Sequence, residues 1–147
     1  MSKSPLPATL RVADWPAPNG FADGMTGRGR LVVTAGIVGW NPATSQFETD
    51  DLAEQVGQVL RTIVRVLATA GAEPKHLVRL TWYLTSREEY VAARKAIGEQ
   101  YRAVIGRHFP AMAVVFVSAL LETRARVEIE ATAIVPEADD SSSDHEG

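Results

Sequence analysis

The pattern of apolar and polar positions predicts a long amphipathic helix in the first half of the chain. Between residues 52 and 70, apolar side chains recur at steps of three and four residues, so they share one helix face. Thr49 or Asp50 can cap its start, and Gly71 is suited to end it in a left-handed conformation. Gly57 interrupts the helix, and close packing on a sheet would be a reason to keep it.

A second helix is predicted to begin at Ser86, because Glu89 three residues later completes a capping-box pattern. It ends before Pro110. Arg94 lies on its apolar stripe, where either its stem packs and its guanidinium stays in water, or it anchors an anion in a cleft. Arg107 is either a cationic rim of such a cleft or a charge that favours the helix C-terminus.

Runs of apolar and β-branched residues bounded by Gly and Pro predict the strands. The predicted strands are residues 10–12, 20–25, 31–35, 37–38, 76–84, 113–117 and 126–135. In strand 76–84, one face is expected to carry the apolar side chains of Val78, Leu80, Trp82 and Leu84. Strands around two helices predict an α+β domain with a mixed sheet and both helices on one face.

The other face of the sheet also needs cover. Bulky apolar groups are expected on both faces of strands 76–84 and 113–117, and 147 residues leave no second layer within the chain. A second copy of the chain is the simplest cover, so we expect a homo-oligomer.

Length and composition narrow the class of protein. The chain has 147 residues, which suggests one domain, and no cysteine, which excludes disulfides and a thiol nucleophile. No apolar run approaches the ~20 residues of a membrane helix, and residues 1–15 lack the pattern of a signal peptide. We therefore expect a cytoplasmic protein with no membrane partner, an extended lead-in over 1–15, one domain over 16–136, and a disordered acidic tail over 137–147.

Charge and histidine spacing argue against nucleic acid and metal. Five acids lie in residues 136–147, so residues 1–135 hold 15 basic and 13 acidic groups, a net charge of +2. A body this close to neutral has no strong electrostatic attraction for nucleic acid. His76, His108 and His145 have no metal-site spacing, so no metal is expected.

Glu128 and Glu130 are candidates for proton chemistry. They alternate with apolar residues in the last predicted strand and so share one face. They form either a solvated outer face or, under a partner subunit, a partly buried carboxyl group that exchanges protons near neutral pH. Trp40, which follows a glycine-ended strand, is either a packing residue or a platform for a substrate.

These segments, taken in order, resemble the Rid family, which is also known as the YjgF or endoribonuclease L-PSP family. The resemblance covers roughly residues 16–136 and rests on the segments 31–36, 70–71, 78–84, 109–111 and 127–131. It implies a chorismate mutase-like α+β fold and homotrimers with clefts between subunits. It also implies hydrolysis of enamines or imines to a keto acid and ammonia, without metal or cofactor.

The resemblance assigns site residues one by one. It implies that Glu128 positions or activates water, that Gly36 lines the cleft, and that Val114 offers backbone groups to the substrate. Phe21 stands where the family usually has tyrosine, so that hydroxyl is missing. Met112 stands where the deaminase branch has the arginine that clamps the substrate carboxylate, and a thioether cannot replace that group.

The residues and the family resemblance leave three functions open. The first is a deaminase for an enamine or imine bulkier than 2-iminobutanoate, with Glu128 as acid/base group and a small-molecule substrate bound by Phe21, Gly36, Trp40, Arg94, Met112 and Val114. The second is a non-catalytic trimer that binds a small metabolite or serves as a scaffold. The third is an endoribonuclease, for which the chain lacks a basic patch with interleaved aromatic residues.

Overall fold

The structure, a computed structural model, describes residues 5–137. Seven strands and two long helices follow in the order β1, β2, β3, β4, α1, β5, α2, β6, β7. Their bounds are β1 Ala8–Leu10, β2 Gly24–Thr26, β3 Arg30–Val33, β4 Ile37–Val38, α1 Leu52–Thr69, β5 Leu77–Leu84, α2 Arg87–Val104, β6 Ala111–Phe116 and β7 Val127–Val135. A 3₁₀ turn over Pro74–His76 precedes β5. The predicted α+β class, with two helices beside a mixed sheet, is confirmed.

The main sheet has the strand order β3-β7-β5-β6, and β4 also pairs with β7. Strand β7 runs antiparallel to β3, β4 and β5, whereas β5 and β6 are parallel because α2 crosses between them. Strands β1 and β2 form a separate hairpin that contains part of the predicted lead-in. The acidic tail lies outside the described residues from position 138 onward, and within residues 5–137 neither helix is long and apolar enough to cross a membrane.

Helix α1 covers the sheet with its apolar face. Val56, Val59, Leu60, Ile63 and Leu67 are all fully buried against the sheet side of the core. Burial of each such side chain contributes roughly 1.5–3 kcal/mol to folding, so this face anchors the helix. The predicted left-handed stop at Gly71 is confirmed by its φ of 73°.

Two local predictions about α1 are wrong. Asp51 caps the helix instead of Thr49 or Asp50, since its carboxylate accepts the Glu54 N–H at 3.0 Å. The Thr49 hydroxyl is held elsewhere, bonded to the Glu54 carboxylate. Gly57 does not face the sheet: a Cβ there would lie 2.2 Å from Oε1 of Gln100, so the glycine admits a side chain of α2.

The predicted face of β5 is also shifted at its start. A bulge between Leu77 and Arg79 inserts one extra residue against β7. Leu77 is therefore fully buried with Leu80, while Val78 is only half-buried. The alternation of faces that the sequence predicts holds from Leu80 onward.

The sheet face away from the helices, here called the open face, differs from the prediction. On β5 it carries Arg79, Thr81 and Tyr83, which are not bulky apolar groups. On β6 the open face carries the exposed apolar side chain of Val115, as predicted for that strand. The most exposed apolar side chains come from β3, where Leu31 is 66% and Val33 is 61% exposed. Monomeric proteins rarely expose contiguous apolar patches, so the physical argument for a covering partner moves from β5 to β3.

Candidate functional site

A cavity of about 270 Å³ lies between α2 and the edge strand β6, and is here called the α2–β6 cavity. Its lining residues come from both elements, from β5 and from two loops: Asn19, Gly20, Trp82, Tyr90, Arg94, Ile97, Gly98, Tyr101, Arg102, Phe109, Met112 and Val114. The Ser86 hydroxyl caps α2 by accepting the Glu89 N–H at 3.1 Å, and the Ala22 N–H donates to the Pro110 carbonyl at 3.1 Å. These bonds hold both walls in place.

One wall of the cavity is a fixed aromatic pair. The rings of Tyr101 and Phe109 stack with centroids 5.3 Å apart and an angle of 12° between their planes. The Tyr101 hydroxyl donates to the His108 carbonyl at 2.5 Å. Burial raises the pKa of Tyr101 well above its ordinary value, so this hydroxyl stays protonated and keeps its donor role at physiological pH.

The positive charge at the cavity comes from α2. Arg94, Gly98 and Arg102 follow at four-residue steps, so they lie on one face of the helix, with the glycine between the two arginines. Nothing lies within 4 Å of a Cβ placed at Gly98. Within residues 5–137 neither arginine forms a salt bridge, so both guanidinium groups are available to an anion.

Met112 and Val114 line this same cavity from β6. Met112 is in register with Leu80 and Val114 with Trp82, so both side chains point to the helix side of the sheet. The thioether of Met112 is half-buried and carries no charge. The structure thus brings together Arg94, Met112 and Val114, three of the residues predicted for substrate binding.

Glu128 lies elsewhere, on the open face, beside Gly36. Thr34 lies between β3 and β4, and its hydroxyl accepts the Ala131 N–H at 3.0 Å in place of a backbone carbonyl. The chain then passes close to β7, and a Cβ at position 36 would lie 2.9 Å from both Cδ and Oε2 of Glu128. A side chain at position 36 would displace this carboxylate, which is half-buried in the single chain.

Tyr83 and Glu130 flank Glu128. Tyr83 is in register with Glu128, and its hydroxyl donates to Oε1 of Glu130 at 2.9 Å. That hydrogen bond, with smaller contributions from burial and from both carboxylate charges, raises the pKa of Tyr83 above its ordinary value. Glu130 is exposed and Glu128 is half-buried, so the two predicted acids have different surroundings.

The two groups of residues face opposite sides of the sheet. Met112 pairs in register with Leu80 on the helix side, whereas Glu128 pairs with Tyr83 on the open face. Successive strand residues alternate between faces, so no rotation of a side chain brings Glu128 into the α2–β6 cavity of its own chain. A single chain therefore holds an arginine-lined cavity and a carboxylate group that do not meet.

The other candidates line neither the α2–β6 cavity nor the surroundings of Glu128, although the cavity of Phe21 shares Phe109 with the α2–β6 cavity. Phe21 lines a second cavity, of about 440 Å³, together with Arg107. Arg94 and not Arg107 therefore lines the cavity that holds Met112. Trp40 packs on Phe47 with ring centroids 5.8 Å apart, and the Arg124 guanidinium lies 5.6 Å from the same Phe47 ring. This contact accounts for Trp40 as a packing residue of the loop before α1.

Sequence reasoning named three of the twelve residues that line the α2–β6 cavity, and Arg102 and Trp82 are among those it missed. The spacing of Arg102, eight residues after Arg94, was a usable signal because it repeats the helix face twice. Trp82 was assigned to the apolar face of β5, and nothing in its sequence context marks it as a cavity residue. Within residues 5–137, no group of three or more acidic or histidine side chains is arranged to hold a metal ion.

Comparison with known proteins identifies the family. The model of the family described as endoribonuclease L-PSP matches residues 13–135. The chain belongs to the Rid (YjgF, endoribonuclease L-PSP) family. It is similar to human 2-iminobutanoate/2-iminopropanoate deaminase, with 30% identity over 105 residues that cover 71% of this chain and 73% of the human protein. It is also similar to the protein DfrA of Myxococcus xanthus, at 30% identity over 72% of this chain and 77% of that protein.

A solved structure supports the same assignment. A Yersinia pestis protein of unknown function from the conserved Rid family superposes with a TM-score of 0.75 and 32% identity, over 88% of this chain and 98% of that protein. The predicted family and fold are thereby confirmed. Relatives of this Rid chain include proteins named as imine deaminases, which supports imine or enamine deamination at the level of the family.

Proposed function

We propose that this Rid protein is a hydrolytic deaminase of an enamine or imine acid larger than 2-iminobutanoate. The reaction takes place in a cleft between subunits of a homotrimer, in which the α2–β6 cavity of one copy meets Glu128 of the next. Glu128 is the catalytic acid/base group, and Arg94 binds the substrate carboxylate. The predicted cytoplasmic location is retained as part of this proposal.

The observation that carries the proposal is the close approach of Glu128 to Gly36. The half-buried carboxylate packs over a glycine, and this contact limits the positions open to it. A group that must hold one water molecule in place needs such a limited position. The exposed apolar residues Leu31 and Val33 lie on the same face of the sheet as Glu128, so a copy that covers them approaches Glu128 from that face. Covering this face would place the carboxylate at the border of two chains.

The chemistry needs few groups. Water adds to the carbon of the C=N bond while the Glu128 carboxylate accepts a proton from it. The protonated carboxyl group then returns the proton to the nitrogen, which gives a carbinolamine. A second transfer through Glu128 carries the hydroxyl proton to the nitrogen, and ammonia leaves as the C–N bond breaks and the carbonyl forms. The sum is one imine and one water converted to one keto acid and one ammonia, so no oxidant, reductant or cofactor enters the balance.

Met112 limits the substrate. A small 2-imino acid loses the hydration of its carboxylate on binding, and a thioether returns no hydrogen bond for it. Arg94 lies on the opposite wall of the same cavity, across an apolar interior. A substrate with a larger apolar body gains burial in this cavity, which offsets the weaker binding of its carboxylate.

The deciding experiment compares Glu128→Gln with its matched control Glu130→Gln, two isosteric changes on one face of one strand. Release of keto acid and ammonia is followed for imines made in place by an amino-acid oxidase. Loss of a general acid/base costs ~10²–10⁴ in rate, so Glu128→Gln should lose most turnover and Glu130→Gln much less. Equal small effects would contradict the proposal and leave a binding trimer as the function.

Two further measurements test the proposed trimer and the proposed role of Met112. Sedimentation should give three times the chain mass of 15.9 kDa, about 48 kDa, and a folded monomer would remove the intersubunit cleft.

Wild type should hydrolyse 2-iminopropanoate about one to four orders of magnitude less efficiently than an arginine-bearing relative, and Met112→Arg should raise that rate. Equal rates for wild type and relative would mean that another group already binds the small carboxylate.

A further inference from the structure

Aromatic side chains are concentrated in the α2–β6 cavity. Of the ten Trp, Tyr and Phe residues in the chain, four line it: Trp82, Tyr90, Tyr101 and Phe109. An apolar cavity of 150 Å³ accommodates one benzene molecule. A cavity of about 270 Å³ therefore has room for an aromatic ring together with a short acid chain.

The cavity also contains a buried hydrogen-bond donor that has no acceptor. Trp82 is 4% exposed, and within residues 5–137 its indole Nε1 is the buried side-chain polar atom that finds no partner. A buried tryptophan N–H usually has a partner, because leaving it unpaired is unfavourable. Since Trp82 lines the cavity, an acceptor on a bound molecule is the partner that its position suggests.

The same cavity contains two positively charged side chains and a wall side chain that can change its conformation. Arg94 and Arg102 flank the gap at Gly98, and neither forms a salt bridge within residues 5–137. The Trp82 Nε1 atom is covered in this structure, so one wall side chain must move before an acceptor reaches it. Met112 is suited to move, because it is half-buried and its unbranched side chain has three rotatable bonds.

We propose that the α2–β6 cavity selects an aromatic 2-oxo or 2-imino acid, with its carboxylate on the Arg94 guanidinium and a second acceptor group on the indole N–H of Trp82. The aromatic body packs against Tyr90 and the Tyr101–Phe109 pair. This inference names the substrate class of the proposed deaminase. Binding of the 2-oxo acid does not depend on that function, and only the extension from the 2-oxo acid to the 2-imino acid rests on it. Trp82 then determines specificity, and Arg94 binds the carboxylate.

The test uses calorimetric binding of three stable probes that differ by one group each. Phenylpyruvate has the ring, the carboxylate and the 2-oxo acceptor; 3-phenylpropanoate lacks the acceptor; pyruvate lacks the ring. We expect phenylpyruvate to bind more tightly than both. Equal affinity for pyruvate and phenylpyruvate would overturn the proposal, because the aromatic walls would then contribute nothing.

Three variants assign the contacts. Arg94→Met keeps the stem and should weaken both phenyl ligands about 10- to 100-fold, while Lys95→Met removes a charge from the next position of α2 and should change neither. Trp82→Phe should weaken phenylpyruvate about 2- to 10-fold and leave 3-phenylpropanoate unchanged. Equal weakening of both ligands by Trp82→Phe would show that the indole only packs, which contradicts the donor role.

A readout on the wild-type chain covers the case in which Trp82→Phe fails to fold. The chain has three tryptophans, so its ¹⁵N spectrum has three indole signals. Phenylpyruvate should move one indole proton downfield and slow its exchange, and 3-phenylpropanoate should not; no difference between the ligands contradicts the proposal. Because no turnover is measured, tight binding of phenylpyruvate without imine hydrolysis would refute the deaminase while this assignment stands.

Discussion

The two long helices have the same length and opposite roles. Each has 18 residues, but ten residues of α1 are buried and only Ile97 and Tyr101 are buried in α2. The apolar face of α1 is continuous along the helix and closes the core over the sheet. The face of α2 is interrupted by Arg94, Gly98 and Arg102, and the α2–β6 cavity lies at that interruption.

The difference shows how one sheet carries both a stable core and a binding site. A helix whose buried face is complete contributes burial free energy and leaves no space. A helix with a charged and glycine-containing face forgoes part of that burial and leaves room for a ligand. Replacements of buried residues in α1 should therefore lower stability, whereas replacements on the cavity face of α2 should not lower it and should change binding.

The largest effect is expected for Leu60→Ala in α1. Leu60 is fully buried, and removing such a side chain costs about 2–5 kcal/mol of unfolding free energy through lost burial and the cavity left behind. Val91→Ala in α2, where the side chain is 47% exposed, should cost less than about 0.5 kcal/mol. Urea unfolding measures both, and similar losses would show that the two helices share the core equally.

Gln55→Leu should have the next largest effect. Gln55 is fully buried, donates to the Thr49 and Arg124 carbonyls at 3.0 and 3.1 Å, and accepts the Arg126 N–H at 2.9 Å. Leucine keeps the volume but leaves these buried groups without partners, at a cost of about 1–3 kcal/mol. The control Gln58→Leu changes a half-buried residue of the same helix; an equal loss there would contradict the role of the Gln55 bonds.

Gly98→Ala should stabilise the protein, in contrast to the two preceding substitutions. The helix-interior glycine has open space around its Cβ position, so alanine should raise the unfolding free energy by about 0.5–1 kcal/mol. Gly57→Ala in α1 should gain less, because the new Cβ displaces the Gln100 side chain. Thermal unfolding of both variants checks the pair, and a greater gain at Gly57 would contradict this view of the two helices.

The smallest effect is a pH dependence near the end of α1. Burial is the main cause that lowers the pKa of His76 below its ordinary value of 6.5, with Glu73 opposing it. The unfolded chain then binds more protons than the folded chain below about pH 6.5, so stability is full above that pH and falls as pH drops through it. The fall should be smaller in His76→Asn; identical pH profiles of unfolding would contradict this assignment.

Prediction from sequence succeeded where the signal is local. The start of α2 at Ser86 and the end of α1 at Gly71 follow from caps that involve residues three or four apart. The placement of Glu128 and Glu130 on one strand face follows from alternation. The cap of α1 was missed by one or two positions, because Thr49, Asp50 and Asp51 are all good capping residues and only the position of Glu54 decides among them.

The sequence by itself determined the fold class, the family and the residue types that carry the chemistry. Only the tertiary structure decided that Met112 lies with Arg94 in one cavity while Glu128 lies on the opposite face of the sheet. It also decided that Leu77 replaces Val78 in the core, through a bulge. The physical reason is that periodicity and caps act within one helix or strand, whereas the face of a side chain relative to another strand depends on pairing register between segments distant in the chain.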